Sequence, residues 1–99
     1  MSFDVEQVYG TPIYKCTDDN GERIFVYDSV IFTDNDTQTL AIMRSKISYI
    51  LLDHEEECIK IYTVDDDYEA IYLSRRLLYE LFRVLVPAND GEGYKSIGS

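Results

Sequence analysis

Residues 65–86 read DDDYEAIYLSRRLLYELFRVLV, and apolar residues recur there at the spacing of an α-helix, about 100° per residue. One broad side of this helix would carry mostly aliphatic side chains, from Ala70, Leu73, Ser74, Leu77, Leu78, Leu81, Val84 and Leu85. The three aspartates at 65–67 offer a cap and favourable charge to the helix N-terminus, and Pro87 cannot continue the helix. We therefore predict one long helix over residues 65–86, buried along its leucine side.

The opposite side of the predicted helix is rich in tyrosine and arginine. It carries Tyr68, Tyr72, Arg75, Arg76, Tyr79 and Arg83. These residue types contribute much of the binding energy at protein interfaces, so they form a candidate protein-binding surface. The alternative is structural, because tyrosines often border a core and arginines often pair with nearby acids such as Glu69 or Glu80. The sequence leaves both interpretations open.

The sequence before residue 65 predicts short strands separated by polar turns. Strand-like segments occur at 13–17, 22–27, 30–33, 39–43, 47–52 and 58–64. Asn20 and Gly21 are typical turn residues, so the first two segments should form a hairpin. The predicted fold class is α+β: an antiparallel sheet of about five to six short strands in a meander, covered on one face by the single long C-terminal helix. Residues 1–86 are expected to form this one domain, followed by a C-terminal tail at 87–99.

Acidic residues dominate the charge of the chain. Its 99 residues carry a net charge of −10, yet 45% of them are hydrophobic and nine are tyrosines, so we expect an acidic surface around a folded core. Such a charge argues against direct binding to nucleic acid or to an anionic membrane, since both require cations to meet phosphates. It favours a basic partner protein.

The predicted turns and strand ends supply a candidate acidic surface. Its members are Asp18, Asp19, Glu22, Asp28, Asp34, Asp36, Asp53, Glu55, Glu56 and Glu57. Hairpin ends gather at the edges of a sheet, so these carboxylates should form one or two rows. Rows of carboxylates can imitate the phosphates that a nucleic-acid-binding protein recognises. The alternative is a surface that serves only solubility.

Cys16 and Cys58 are the two cysteines, and each falls in a predicted strand. They lack the two-residue spacing of redox and zinc motifs, so we expect small core residues with reduced thiols in the cytoplasm, which is the host cytoplasm if the protein is viral. The sequence does not decide whether they pair. No stretch approaches the roughly 18 apolar residues that a membrane span needs.

No catalytic or metal motif is present in the sequence. Asp34 and Asp36 have the spacing that opens an EF-hand loop, but Thr39 and Ser45 replace its required glycine and glutamate. His54 is the one histidine, and no serine or cysteine can be placed beside it from the sequence. We expect no metal, no cofactor and no enzymatic activity.

In composition, being short, acidic and rich in tyrosine, the chain resembles small viral inhibitors, anti-restriction and anti-CRISPR proteins and toxin-immunity proteins, although it shares no motif with them. The resemblance implies an inhibitor of the viral anti-defence, nucleic-acid-mimic or immunity type. Such an inhibitor would block a basic surface of a partner that handles nucleic acid. The alternative is a self-associating structural or accessory protein, a homodimer formed through the tyrosine and arginine side of the helix.

Overall fold

The computed structural model of the protein describes residues 3–86, and the predicted tail at 87–99 lies outside these residues. Within this range the chain forms seven strands and two α-helices. In chain order they are α1 (Val5–Tyr9), β1 (Tyr14–Thr17), β2 (Arg23–Val26), β3 (Val30–Asp34), β4 (Thr39–Met43), β5 (Ile47–Asp53), β6 (Cys58–Thr63), β7 (Tyr68–Tyr72) and α2 (Arg75–Leu85). A short 3-10 turn at Arg44–Lys46 separates β4 from β5.

The strands form two antiparallel meanders. The first sheet has the order β1-β2-β3-β4, and the second sheet has the order β5-β6-β7. The predicted first hairpin is confirmed, because Cys16 faces Ile24 and Gly21 adopts the positive φ of 91° that its turn requires. All six predicted strand segments are confirmed as strands, with small differences at their ends.

One core joins both sheets and α2. Alternate residues of the central strands point into it, such as Ile24 of β2 and Ile61 of β6, and both are fully buried. Helix α2 contributes Leu78, Leu81 and Leu85, which recur at helical spacing and are at most 5% exposed. The prediction that the leucine side of the helix is buried is therefore confirmed for these turns.

A smaller cluster covers the other face of the first sheet. Val5 of α1 packs with Phe25 and Phe32, which point away from the main core because strand side chains alternate. Asp4 caps α1 by accepting from the Gln7 amide at 3.2 Å. Helix α1 was not predicted, since five residues are too few to display a helical period.

The prediction of a single long helix over residues 65–86 is wrong. Residues 68–72 form β7, which pairs with β6 so that Ile71 faces Ile59, and α2 covers only eleven residues after its N-cap Ser74. The aspartates at 65–67 lie in the β6–β7 turn and do not cap α2. Tyrosine and isoleucine favour strands, and pairing with β6 provides hydrogen bonds along one side of 68–72 while Ile71 is buried. The predicted single sheet is corrected to two sheets in the same step.

Candidate protein-binding surface

The tyrosines and arginines of the predicted helix surface belong to two elements. Tyr68 and Tyr72 lie on β7, and the other four, Arg75, Arg76, Tyr79 and Arg83, lie on α2. All six are exposed. Because residues four apart on a strand share a face, Tyr68 and Tyr72 lie on the same side of the second sheet. The six residues therefore do not form one helical stripe.

We call the side of the second sheet that points away from the main core the outer face. The strand register arranges its side chains in three cross-strand rows, Tyr49–Tyr62–Tyr68, Leu51–Lys60–Ala70 and Asp53–Cys58–Tyr72. Its largest members are open to solvent, with exposed fractions of 57% for Tyr49, 51% for Tyr68 and 56% for Tyr72. An aromatic sheet face of this kind is a candidate binding surface.

The first row is a tyrosine column made by Tyr49, Tyr62 and Tyr68. The ring centroids of Tyr49 and Tyr62 lie 4.4 Å apart with an interplanar angle of 12°, and those of Tyr62 and Tyr68 lie 5.0 Å apart at 28°. Sequence reasoning missed Tyr49 and Tyr62 as site residues. The signal that would have found them is the register of β5, β6 and β7, which places one tyrosine of each strand in the same row.

Lys60 lies in the middle of the outer face and is already paired. Its Nζ is 3.5 Å from Asp53 Oδ2 and 3.5 Å from Glu56 Oε1, and it stands 5.6 Å from the ring centroid of Tyr68. Burial lowers the pKa of Lys60, but the two carboxylates together outweigh burial and raise it. The amides of Glu56 and Glu55 hold the pKa of Asp53 below its usual range, with help from Lys60. This cation therefore adds little free positive charge to the surface.

Two members of the predicted acidic surface are buried. Asp34 is 3% exposed, pairs with Arg23 and accepts from Thr39 Oγ1 at 2.7 Å. Asp18 is 9% exposed and accepts weakly from the Asn20 amide. The expected place of Asp34 among the surface carboxylates is corrected, because Asp34 is buried and has the partners that a buried carboxylate requires. Asp18 is largely covered but still lines a groove.

The remaining acids lie in four separate turns. Asp19 and Glu22 flank the β1–β2 turn, Asp28 lies in the β2–β3 turn, and Asp36 lies in the β3–β4 turn. The β5–β6 turn supplies Glu55, Glu56 and Glu57, with Asp53 directly before it. The one or two rows of carboxylates expected from the sequence are therefore divided among four turns.

Two of these turns meet around one groove, which we call the acidic groove. It has a volume of about 390 Å³ and is lined by Asp18, Asp19 and Asn20 from the β1–β2 turn, Glu56 and Glu57 from the β5–β6 turn, and Tyr72, Leu73 and Ser74. The two turns are far apart in the chain, so only the tertiary fold brings their carboxylates together. Tyr72 belongs to both the acidic groove and the outer face.

Two of the three arginines of α2 pair with acids, as the structural alternative expects. Arg75 Nη2 lies 2.7 Å from Glu57 Oε2, and Arg76 Nη1 lies 3.4 Å from Glu80 Oε2 one turn along the helix. Arg83 makes no ion pair with any residue in the range 3–86. These pairs are exposed, so they leave the arginines accessible.

His54 and the group of Asp53, Glu56 and Cys58 contain residue types that catalytic or metal sites use. The His54 ring stands edge-on to Tyr79, with centroids 6.3 Å apart. The ligand atoms of Asp53, Glu56 and Cys58 lie within 4.8 Å of one another, but the Lys60 ammonium already occupies the space beside both carboxylates. Burial raises the pKa of the Cys58 thiol, which disfavours the thiolate that a metal would bind. These residues do not fit a metal site.

Comparisons with protein-family models, with curated protein sequences and with solved structures find no match to this chain. Among the described residues, no helix combines the length and apolar character needed to cross a membrane. The acidic groove and the outer face are therefore the features that bear on its function.

Proposed function

We propose that this chain is a small acidic, non-enzymatic protein-binding protein that blocks a basic surface of a nucleic-acid-handling partner. It would act in the cytoplasm, or in the host cytoplasm if viral, as an anti-defence or anti-CRISPR inhibitor, a nucleic-acid mimic or an immunity protein does. The observation that carries the proposal is the acidic groove, which is lined by acidic residues of two distant hairpins together with the exposed Tyr72.

The chemistry of such a partner fits this groove. A protein surface that binds nucleic acid meets phosphates with lysine and arginine side chains. The same cations can pair with carboxylates, and the net charge of −10 attracts them over a distance before contact. Tyr72 then offers an aromatic contact on rigid strand backbone, a residue type that contributes strongly at interfaces.

The proposal is tested by isolating the partner and measuring how salt affects the complex. Tagged chain is used to capture proteins from cytosol of the native host, and each captured protein is purified and titrated with the chain. We expect the dissociation constant to weaken about tenfold or more between roughly 50 and 200 mM salt, because charge pairing drives association. The chain should also displace nucleic acid from the partner in a competition assay.

Matched charge variants locate the binding site. Asp19→Asn with Glu56→Gln removes two negative charges from the acidic groove, whereas Asp28→Asn with Asp36→Asn removes two from other turns. The first pair should weaken the complex at least several-fold more than the second pair, since only the first lies at the proposed contact. Equal effects, a complex insensitive to salt, or a partner with an acidic surface would contradict the proposal.

Self-association is the competing outcome, and the exposed rings of Tyr72 and Tyr79 are where it would occur. Sedimentation of the chain alone at micromolar concentration distinguishes an inhibitor from a self-associating protein. A monomer that shifts only when the partner is added agrees with an inhibitor. A dimer that Tyr72→Ala or Tyr79→Ala dissociates would instead indicate a self-associating structural protein.

A further inference from the structure

The tyrosine column ends in an open ring face on one side. Tyr62 lies between the other two rings, so both of its faces are covered. Tyr49 stands on the edge strand β5 and is 57% exposed, and within residues 3–86 only Tyr62 stacks on it. At the other end, Lys60 Nζ already stands 5.6 Å from the centroid of Tyr68. Among residues 3–86, the column thus has a cation over one terminal ring and none over the other.

Carboxylates border the end of the sheet where the column lies. Tyr62 and Tyr68 are the facing pair nearest to the β6–β7 turn, which carries Asp65, Asp66 and Asp67, all exposed. The Thr63 amide donates to the Asp67 carbonyl at 2.9 Å and closes this turn beside the column. The backbone of Lys46 is joined to this turn, since the Lys46 carbonyl accepts from the Val64 amide at 2.9 Å. Within residues 3–86, the three aspartates outnumber Lys46, and Lys60 is already paired with Asp53 and Glu56, so this end of the sheet is negative.

We infer that the tyrosine column is a platform for an arginine side chain of the basic partner. The guanidinium plane stacks on the open face of Tyr49, and neighbouring cations of the same segment pair with the aspartates of the β6–β7 turn. This inference rests on the proposed function and names the residue that the partner contributes. Arginine fits better than lysine because its planar guanidinium stacks on aromatic rings, whereas the lysine ammonium is a compact, strongly hydrated charge.

The column and the acidic groove can engage one partner together. Tyr68 of the column and Tyr72 of the groove are four residues apart on β7, which corresponds to about 13 Å along a strand. A basic segment of a few residues therefore reaches from one to the other across the outer face. A nucleic-acid strand could also stack bases on tyrosines, but its phosphates would meet aspartates and a lysine that is already paired.

Two peptides of equal length and charge, oligoarginine and oligolysine, test the inference at low salt. The unmodified chain should bind oligoarginine about three- to tenfold more tightly than oligolysine, the range that one or two cation–π contacts supply. Tyr49→Leu should remove this preference, because it weakens the binding of oligoarginine more than the binding of oligolysine. Tyr49→Phe is the matched control: it keeps the ring and should keep the preference. Thermal unfolding of each variant checks that the substitution at this exposed position has not altered the fold.

The outcomes separate this inference from the proposed function. Equal, salt-sensitive affinity for both peptides overturns the arginine platform and leaves the proposed function standing. Failure of both peptides to bind overturns both the arginine platform and the proposed function. Binding of a single-stranded oligonucleotide that Tyr49→Leu abolishes, or a dimer that Tyr49→Leu dissociates, would also overturn the platform, because a different occupant would then cover the column.

Discussion

The Arg75 guanidinium donates to the Glu57 carboxylate at 2.7 Å, and this contact joins the start of α2 to the β5–β6 turn. Both side chains are about half exposed or more, so water screens the pair and it contributes little to stability. Its larger effect is on charge. Arg75 lowers the negative potential of the acidic groove, because Glu57 is one of the groove's carboxylates.

Arg75→Gln should strengthen binding of a cationic probe. The substitution leaves Glu57 without its partner, so oligolysine should bind about two- to threefold more tightly at low salt. The free energy of unfolding should change little, because water screens the exposed pair. Arg83→Gln is the control. It changes the net charge by the same amount, but Arg83 has no ion pair within residues 3–86. An equal gain in both variants, measured by calorimetric titration, would show that net charge alone is responsible.

Leu81→Ala should destabilise the fold by about 2–5 kcal/mol. Leu81 is fully buried where α2 meets both sheets, so truncation removes apolar contact and leaves a cavity. Val64→Ala, at a position 61% exposed in the β6–β7 turn, should change stability by no more than about 0.5 kcal/mol. Urea unfolding followed by circular dichroism measures both, and a small effect at Leu81 would contradict the placement of α2.

Asp34→Asn should cost about 1–3 kcal/mol of stability. The buried carboxylate pairs with Arg23 and accepts from Thr39 Oγ1, so the neutral amide loses the ion pair and weakens this hydrogen bonding. Asp36→Asn removes the same charge two residues later, at an exposed turn position, and should have almost no effect. Denaturant midpoints that shift equally in both variants would disprove the structural role of Asp34.

Asp53 should contribute to the loss of stability in acid. The amides of Glu56 and Glu55 and the Lys60 ammonium lower its pKa in the folded state. Its contribution is therefore present above its unfolded value, about pH 4, and is lost as the pH falls through the lowered pKa. Asp53→Asn should flatten the pH dependence of the unfolding free energy below about pH 4. The control Glu55→Gln should preserve that slope, because no side-chain hydrogen bond involves the Glu55 carboxylate among the described residues.

Cys16 and Cys58 should react slowly with a thiol reagent in the native state. Both are buried free thiols, and burial raises the pKa of each, so the reactive thiolate is scarce. In urea both should react rapidly with Ellman's reagent without prior reduction. A native chain that releases thiols only after reductant is added would instead contain a disulfide.

The strands were predictable from local pattern. Alternation of apolar and polar residues marked β2 and β6, and Asn20 with Gly21 marked the turn between β1 and β2. Residues 68–72 were not predictable in the same way. In this segment the apolar residues around Ile71 fit both a helical period and a strand period. The segment forms a strand because the edge of β6 provides hydrogen bonds for it.

The sequence alone determined the α+β class, the net charge of −10 and the leucine stripe that buries α2, because composition and short-range periodicity are local properties. Tertiary structure alone decided that three tyrosines stack across β5, β6 and β7, and that the β1–β2 and β5–β6 turns share one groove. Both depend on which strands are neighbours and in what register. That choice is made by the free energy of packing the whole core, to which residues distant in the chain contribute together.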